Sequence, residues 1–303
     1  MTAPAPDGEV FAVAPDLPPL IAAPPRRGPV ATFVRRHPTI VIGAALLGLM
    51  ALVAICAPLL GTGDPQALAP AKRIRAPSAE FWFGTDSLGR DVYSRVIYGA
   101  RTSLLVGLVV ALAATAAGVA VGLVSGFVRW LDPILMRVID GLMAIPSVLI
   151  AIALLGIARG SVVNVIIAIA LAEFPRVARL VRGVVLSLRE QPYVDAAQAC
   201  GSGSGRIMWR HILPNALDPI IVQATYIGAS AIIAEAVLSF IGVGTPPTVP
   251  SWGNIMAEGR ALWQVKPYIV FFPAVFLCIT VLGVNLLGDG LRDMLDPRVA
   301  KRA

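Results

Sequence analysis

The sequence lacks the residue patterns that most enzymes and metal-binding proteins use. No Gly-Lys pair occurs, so the phosphate-binding loop GxxxxGK[ST] is excluded. The HExxH and GxSxG motifs are absent, and the only two histidines are His37 and His211. The three cysteines have no CxxC spacing, which argues against a zinc site or a disulfide framework. We therefore predict no catalytic site, no metal and no cofactor bound by this chain.

Charged residues are also scarce. Only 14% of the 303 residues are charged and 57% are hydrophobic. Soluble domains have about 25% charged residues. The apolar residues lie in runs of about 20, the length that crosses a bilayer as a helix. The net charge of +7 comes from basic residues beside these runs, where the positive-inside rule accounts for it better than nucleic acid does. The predicted class is an all-α polytopic membrane protein.

The first hundred residues divide into a tail and one span. Residues 1–36 are rich in proline and alanine without an apolar period, so we predict a disordered cytoplasmic tail. Residues 37–101 contain the first membrane helix, Thr39–Leu60, and then a long polar extracytoplasmic connection. Four arginines precede this helix and should hold the N-terminus in the cytoplasm.

Residues 102–303 contain five further apolar runs, which gives six spans with both termini inside. Most Lys and Arg residues then lie on the cytoplasmic side, as the positive-inside rule expects. Pro146 should kink the third span, since a proline cannot donate to the helix ladder. The predicted spans are Thr102–Phe127, Ile134–Ile157, Val162 to an end between Phe174 and Val181, Ala216–Val237 and Pro267–Leu287.

A doubled GxxxG pattern lies in the second span. Gly118, Gly122 and Gly126 follow one another at every fourth position. This spacing leaves a bare stripe along one helix face, where a neighbouring helix can approach closely. We predict that these glycines form a helix-packing face.

Polar side chains inside the spans are candidates for the translocation pathway, because such residues are costly in a bilayer. The three candidates are Glu235, Asn164 and Asp140. Counting about 1.5 Å per residue from Ala216 places Glu235 near the outer boundary of the membrane. It either lines an external vestibule or bonds to a neighbouring helix. Asn164 is also suited to bridging helices.

A polar and basic stretch, residues 190–215, separates the fourth and fifth spans; we call it the elbow. Pro192 suits the first position of a helix, and Asp195 then lies in the first turn, where the helix dipole favours it. Gly201 is placed to stop this helix. One face of the helix carries small residues and one ring: Tyr193, Ala196, Ala197 and Cys200.

A second short helix is predicted in the same stretch. Ser202 or Ser204 would cap it, and Pro214 would end it before the fifth span. Arg206 and Arg210 lie one turn apart on it. The result is a helix–glycine–helix unit fixed between two spans, a shape that can transmit a push. The alternative is an amphipathic loop whose arginines touch lipid headgroups.

The elbow resembles the cytoplasmic loop of inner-membrane permease subunits of ABC importers. That loop follows the pattern EAA, three residues, Gly, nine residues, Ile-x-Leu-Pro. Here Asp195-Ala196-Ala197 precedes Gly201 and then His211-Ile212-Leu213-Pro214 at the same spacing, with Asp195 in place of glutamate and His211 in place of isoleucine. Residues 83–104 (FGTDSLGRDVYSRVIYGARTSL) and the segments AEAVLSFIGVG and GDGLRDMLDPR resemble the C-type subunit of the oligopeptide/dipeptide/nickel branch.

The resemblance implies a type I ABC importer permease fold in a bacterial cytoplasmic membrane, forming half of a pathway for peptides. It implies as partners a second homologous permease, an extracytoplasmic peptide-binding protein, and two ABC ATPase subunits or one fused pair. The ATPases would use ATP and Mg²⁺. Residues 78–101 and 242–266 would face the binding protein. The ATPase-coupling residues would be Tyr193, Asp195, Ala196, Ala197, Gly201, Arg206, Arg210, His211, Leu213 and Pro214.

Two alternatives remain open. The same family includes nickel and glutathione importers, so the cargo is not fixed by the sequence. A secondary transporter driven by an ion gradient would need carboxylates at mid-membrane and inverted repeats. Neither is evident in this chain.

Overall fold

The computed structural model describes residues 29–157 and 160–295. Most of the predicted tail lies outside these residues, as do Arg159 in the turn after the third predicted span and the C-terminal residues. The chain forms two units, Met1–Arg36 and His37–Ala303. The described part of the first unit is a single helix, α1 (Pro29–Arg36).

The second unit is helical. Its described residues contain an isolated bridge between Thr85 and Asp91 but no β-strand, which confirms the predicted all-α class. Short 3₁₀ turns and one π turn connect the α-helices. The α-helices are α2 (Pro38–Ile55), α3 (Val92–Phe127), α4 (Asp132–Met143), α5 (Ser147–Ile157), α6 (Val162–Leu188), α7 (Pro192–Ala199), α8 (Ser204–Ile207), α9 (Leu213–Ile241), α10 (Trp252–Gly259) and α11 (Tyr268–Leu295).

Side-chain caps set several helix boundaries. The Asp91 carboxylate accepts from the backbone N–H of Ser94 at 3.0 Å, so α3 begins before the predicted start of the second span. Ser161 and Ser251 cap α6 and α10 in the same way. Gly242 ends α9 with φ of +94°, a conformation that glycine adopts without strain.

The glycine stripe of α3 lies against α6. A Cβ atom added at these glycines would come within 2.4–2.7 Å of a valine Cβ of α6, so the two backbones are in close contact. α3 also packs against α2 and α9 and thereby connects the bundle. The facing pairs are Gly118 with Val177, Gly122 with Val181, and Gly126 with Val185.

The predicted third span is two helices rather than one kinked helix. α4 and α5 meet at an angle of 88° across the break at residues 144–146. Pro146 lacks the N–H that would continue the ladder, and its carbonyl accepts from Leu149 in a new first turn. The break therefore separates two helices.

The helix of the fourth predicted span extends beyond the predicted end of that span. α6 continues through Pro175 to Leu188 as one helix. Arg179 and Arg182, which suggested a loop, instead pair with aspartates of α4. In the described part of the chain, four helices are long and apolar enough to cross a membrane, or five if α4 and α5 count as one span.

The connection between α2 and α3 is held by ion pairs. Arg90 and Arg95 contact Asp86 and Glu258, and Asp86 and Arg95 are almost fully buried. This buried cluster ties the connection to α10 and neutralises two of its basic residues. A second pair lies at the surface, where Lys72 donates to Glu80 at 2.5 Å and lowers the pKa of that carboxyl.

Candidate functional site

The elbow consists of α7, a glycine turn, α8 and a π turn that leads into α9. Pro192 occupies the first turn of α7, and the backbone of Gln191 before it is extended. Gly201 follows α7 with φ of +78° and donates to the carbonyl of Gln198 at 2.9 Å. The N–H of Ser202 reaches back to Ala197 at 3.0 Å, which completes a glycine-based helix end.

Two expectations about the second elbow helix are wrong. Gly203 rather than a serine holds the cap position of α8, and no side chain caps that helix. Pro214 does not end the helix, because α8, the π turn (Met208–Ile212) and α9 follow one another without a gap. Pro214 lies in the first turn of α9, directly after the π turn, and its missing N–H cannot donate to a carbonyl of that turn.

Apolar side chains fasten the elbow to the bundle. Val194, Ile207 and Ile212 are at most 1% exposed and belong to the same core cluster as residues of α3, α6 and α9. Ile207 and Ile212 are five residues apart, a spacing that would diverge in an α-helix. The π turn between them, with its wider i→i+5 pattern, keeps both on the buried side. These anchors carry no motif, so the sequence reading missed them.

The residues predicted to couple to an ATPase lie mainly on the outer side of the elbow. Trp209, which was not in that set, is 69% exposed beside them. This surface carries mostly small side chains on α7 and basic side chains on the π turn. The exposed members of the predicted set are Tyr193, Asp195, Ala196, Gly201, Arg206, Arg210 and Pro214, and the half-buried members are Ala197, His211 and Leu213.

Arginine contacts make the base of the elbow stiff. Arg189 donates to the carbonyl of Gly126 at 2.9 Å and so joins the end of α6 to the end of α3. Arg182 forms a two-pronged ion pair with Asp132 of α4 at 2.5 and 2.7 Å. The end of α6 that leads into the elbow is therefore joined to both α3 and α4.

The three polar residues predicted for a pathway occupy separate places. Asp140 is exposed and accepts from Arg179 at 2.5 Å, which links α4 to α6. The backbone N–H of Asn164 donates to the Ser161 cap at 3.1 Å. Glu235 lies elsewhere, near the far end of α9, and is fully buried.

A network of hydroxyl groups surrounds Glu235. Its Oε1 accepts from Ser239 at 2.8 Å and from Thr245 at 3.2 Å. The Thr245 hydroxyl also lies 3.1 Å from that of Ser251, which caps α10. Asn254 donates to Thr245 Oγ1 at 2.8 Å. Glu235 thus fixes the connection between α9 and α10.

Glu235 offers a first test of this connection. We expect Glu235→Leu to destabilise the protein by about 2 kcal/mol, because two buried hydroxyls lose their acceptor. Glu235→Gln keeps an acceptor oxygen and should lose less than half as much. The measurement is the thermal unfolding midpoint of the detergent-solubilised protein. Equal midpoints for the two variants would contradict this role.

One polar face was missed by the sequence reading. Gln223, Tyr226 and Ser230 follow at helical spacing on α9, and Ser230 Oγ lies 3.4 Å from the buried carboxylate of Glu173 on α6. Tyr226 donates to Asp289 of α11. The sequence does contain a signal for this face, because its polar residues are three and four positions apart within an apolar run. Intramembrane polar faces of this kind mark candidate substrate routes.

Comparison with known proteins decides the family. Residues 82–301 match the model of the binding-protein-dependent transport system inner membrane component. The chain belongs to this family. It is 52% identical over 273 residues to a probable peptide ABC transporter permease protein of Sinorhizobium fredii, covering 90% of this chain and 94% of the relative. It is 42% identical over 269 residues to a glutathione transport system permease protein of Salmonella typhimurium, covering 88% of both.

The fold of this inner membrane component also has a counterpart among solved structures. An inward-facing structure of the MetNI methionine ABC transporter superposes with a TM-score of 0.57 at 18% identity, covering 66% of this chain and 96% of that one. The family match and the relatives confirm the resemblance to ABC importer permeases, and the solved structure agrees in fold. The protein is a multi-pass inner membrane component of an ABC transporter.

Proposed function

We propose that the chain is the membrane-spanning subunit of an ATP-driven, binding-protein-dependent importer of peptides, and that it forms half of the translocation pathway. The observation that carries this proposal is the elbow, an exposed motif on a base fixed by Val194, Ile207, Ile212 and Arg189. The peptide relative at 52% identity supports the cargo class.

Energy would enter through the elbow. The sequence has no phosphate-binding loop, so ATP and Mg²⁺ would be used by two ABC ATPase subunits or one fused pair. The face of α7 that carries small side chains suits close docking in a groove of such a subunit. Arg206 and Arg210 add positive charge at the edge of that face. Movement of the elbow would then rock α6, which leads into it, and α9, which follows it.

The proposed topology has six spans with both termini in the cytoplasm. α6 counts as a span because Glu173 is buried against Arg176 and Ser230, so its charge is compensated within the bundle. α4 and α5 together form the third span. The elbow then lies in the cytoplasm, while residues 78–101 and 242–266 face a peptide-binding protein. A second homologous permease would complete the pathway.

Reconstitution tests this function. The chain, co-expressed with the other subunits encoded beside its gene, should co-purify with ATPase subunits and a second permease. In vesicles, the complex with its binding protein should take up a labelled tripeptide only when ATP is supplied. Uptake that follows an ion gradient without ATP would instead favour a secondary transporter. The similarity to a glutathione permease makes glutathione the second cargo to test.

A glycine pair isolates the role of the elbow turn. Gly201 has φ of +78°, and Gly203 has φ of −69°, while a Cβ at either meets nothing within 4 Å. We expect Gly201→Val to reduce ATP-driven uptake at least about tenfold, since a β-branched residue strains that backbone and re-aims α7. Gly203→Val should retain uptake.

The measurement is uptake normalised to the amount of complex in the membrane. Membrane insertion should be the same for the two valine variants. Similar uptake by both would count against a coupling role for the glycine turn.

A further inference from the structure

A cleft at the elbow end of the bundle has no role in the coupling just described. It lies between α6, α9 and α11 and has a volume of about 390 Å³, within the range of small-ligand sites. Its lining residues are Leu180, Asp218, Pro219, Val222, Gln223, Tyr226, Arg292 and Leu295.

The cleft opens on the side of α9 that faces away from α3. Gly228 packs against Gly107 and Ala111 of α3. Tyr226 is two positions from Gly228 and so about 200° around the helix. It lines the cleft and continues the polar face that runs to Ser230. The cleft thus lies at the elbow end of the polar face that Gln223, Tyr226 and Ser230 form on α9.

Charges of opposite sign stand apart in this cleft. Asp218 is exposed near the start of α9. Arg292 lies beside Tyr226, which also donates to Asp289. Tyr226 follows Asp218 by eight residues, which is ~12 Å along the helix axis. An extended chain of three to four residues spans a similar length, at ~3.5 Å per residue.

We propose that this cleft binds short peptides with free termini, before their release at the elbow end. Asp218 would accept from the peptide ammonium group, and Arg292 would donate to its carboxylate, for which the planar guanidinium is suited. The Gln223 amide can both donate to and accept from a peptide bond. Leu180, Val222 and Leu295 give apolar walls, and the charged and amide groups would contact the termini and backbone of the peptide, so the site would recognise the termini and length rather than the sequence. This inference rests on the proposed function and names its substrate class.

Saturation-transfer NMR with tri-alanine tests the site directly. The full complex without its binding protein is placed in lipid nanodiscs. Tri-alanine should show saturation transfer, and N-acetyl-tri-alanine amide should bind about tenfold more weakly, since both charge-assisted contacts are lost. Asp218→Asn and Arg292→Gln should each weaken the tri-alanine signal. Asp293→Asn, on an exposed neighbour outside the cleft, is the matched control and should leave it unchanged.

Equal binding of the free and the blocked peptide, or unchanged binding in both cleft variants, would overturn the assignment. The proposed function has its own readout in the same preparation. If the complex with its binding protein imports tri-alanine while the cleft variants bind it as the wild type does, the site is wrong and the function stands. If vesicles import no peptide at all, the proposed function itself is wrong.

Discussion

Replacing Gly122 by valine should destabilise the protein by ~3 kcal/mol, near the upper end of the cost of overpacking a well-packed core. A Cβ at this position would lie 2.6 Å from Val181 Cβ and 2.7 Å from the carbonyl oxygen of Ala178. One of these atoms is backbone, so a rotamer change cannot relieve the contact. α3 and α6 must therefore move apart, and the contacts of Gly118 and Gly126 with α6 must loosen as well.

Gly183 provides the control for this substitution. It is exposed on α6, and a Cβ there meets nothing within 4 Å. Valine and glycine differ by only a few tenths of a kcal/mol in helix propensity, so Gly183→Val should leave stability nearly unchanged. The measurement is the fraction of detergent-solubilised protein that stays monodisperse after heating. Equal losses in the two variants would show that any added side chain is harmful, and that the close contact between α3 and α6 is not the cause.

Features set by neighbouring residues could be predicted from the sequence. The four-residue spacing of glycines in the second span predicts a packing face, and α6 lies against that face. A glycine after the short periodic segment of the elbow predicts a helix end, and Gly201 has the positive φ that such an end uses. Both follow from the geometry of a single helix, so no knowledge of the partner element was needed.

Features that depend on distant residues could not be predicted. Arg95 and Glu258 are 163 positions apart and meet only in the folded bundle. The 88° angle between α4 and α5 depends on the helices around them, since a proline alone specifies a break and not its size. Glu235 lies near one end of its helix, as counting residues along the span predicts, but its partner Thr245 comes from the connection to α10, whose path the sequence does not specify.

The largest electrostatic effect is expected at Arg95. Its side chain is 1% exposed and contacts two carboxylates, with Arg95 Nη1 2.6 Å from Asp86 Oδ2 and Arg95 Nη2 3.1 Å from Glu258 Oε1. Arg90 shares both carboxylates. Arg95→Met would leave two carboxylates with one cation, and one of them, Asp86, has no access to solvent. Breaking a buried ion pair from one side costs ~3–5 kcal/mol, so this variant should unfold or detach the connection between α2 and α3.

Lys72→Met is the matched change on the same segment. Lys72 and Glu80 are also in contact, but both side chains are largely exposed, so water replaces the lost partner and stability should hardly change.

Limited proteolysis of the purified complex distinguishes the two variants, since cleavage within residues 61–91 requires that segment to leave α10. Arg95→Met should be cleaved there much faster than the wild type, and Lys72→Met at the wild-type rate. Equal protection of both variants would mean that the segment is held by its apolar contacts, with the buried charges contributing little. Because residues 78–91 of this segment and α10 belong to the surfaces proposed to receive the binding protein, faster cleavage in Arg95→Met should be accompanied by weaker stimulation of ATP hydrolysis by that protein.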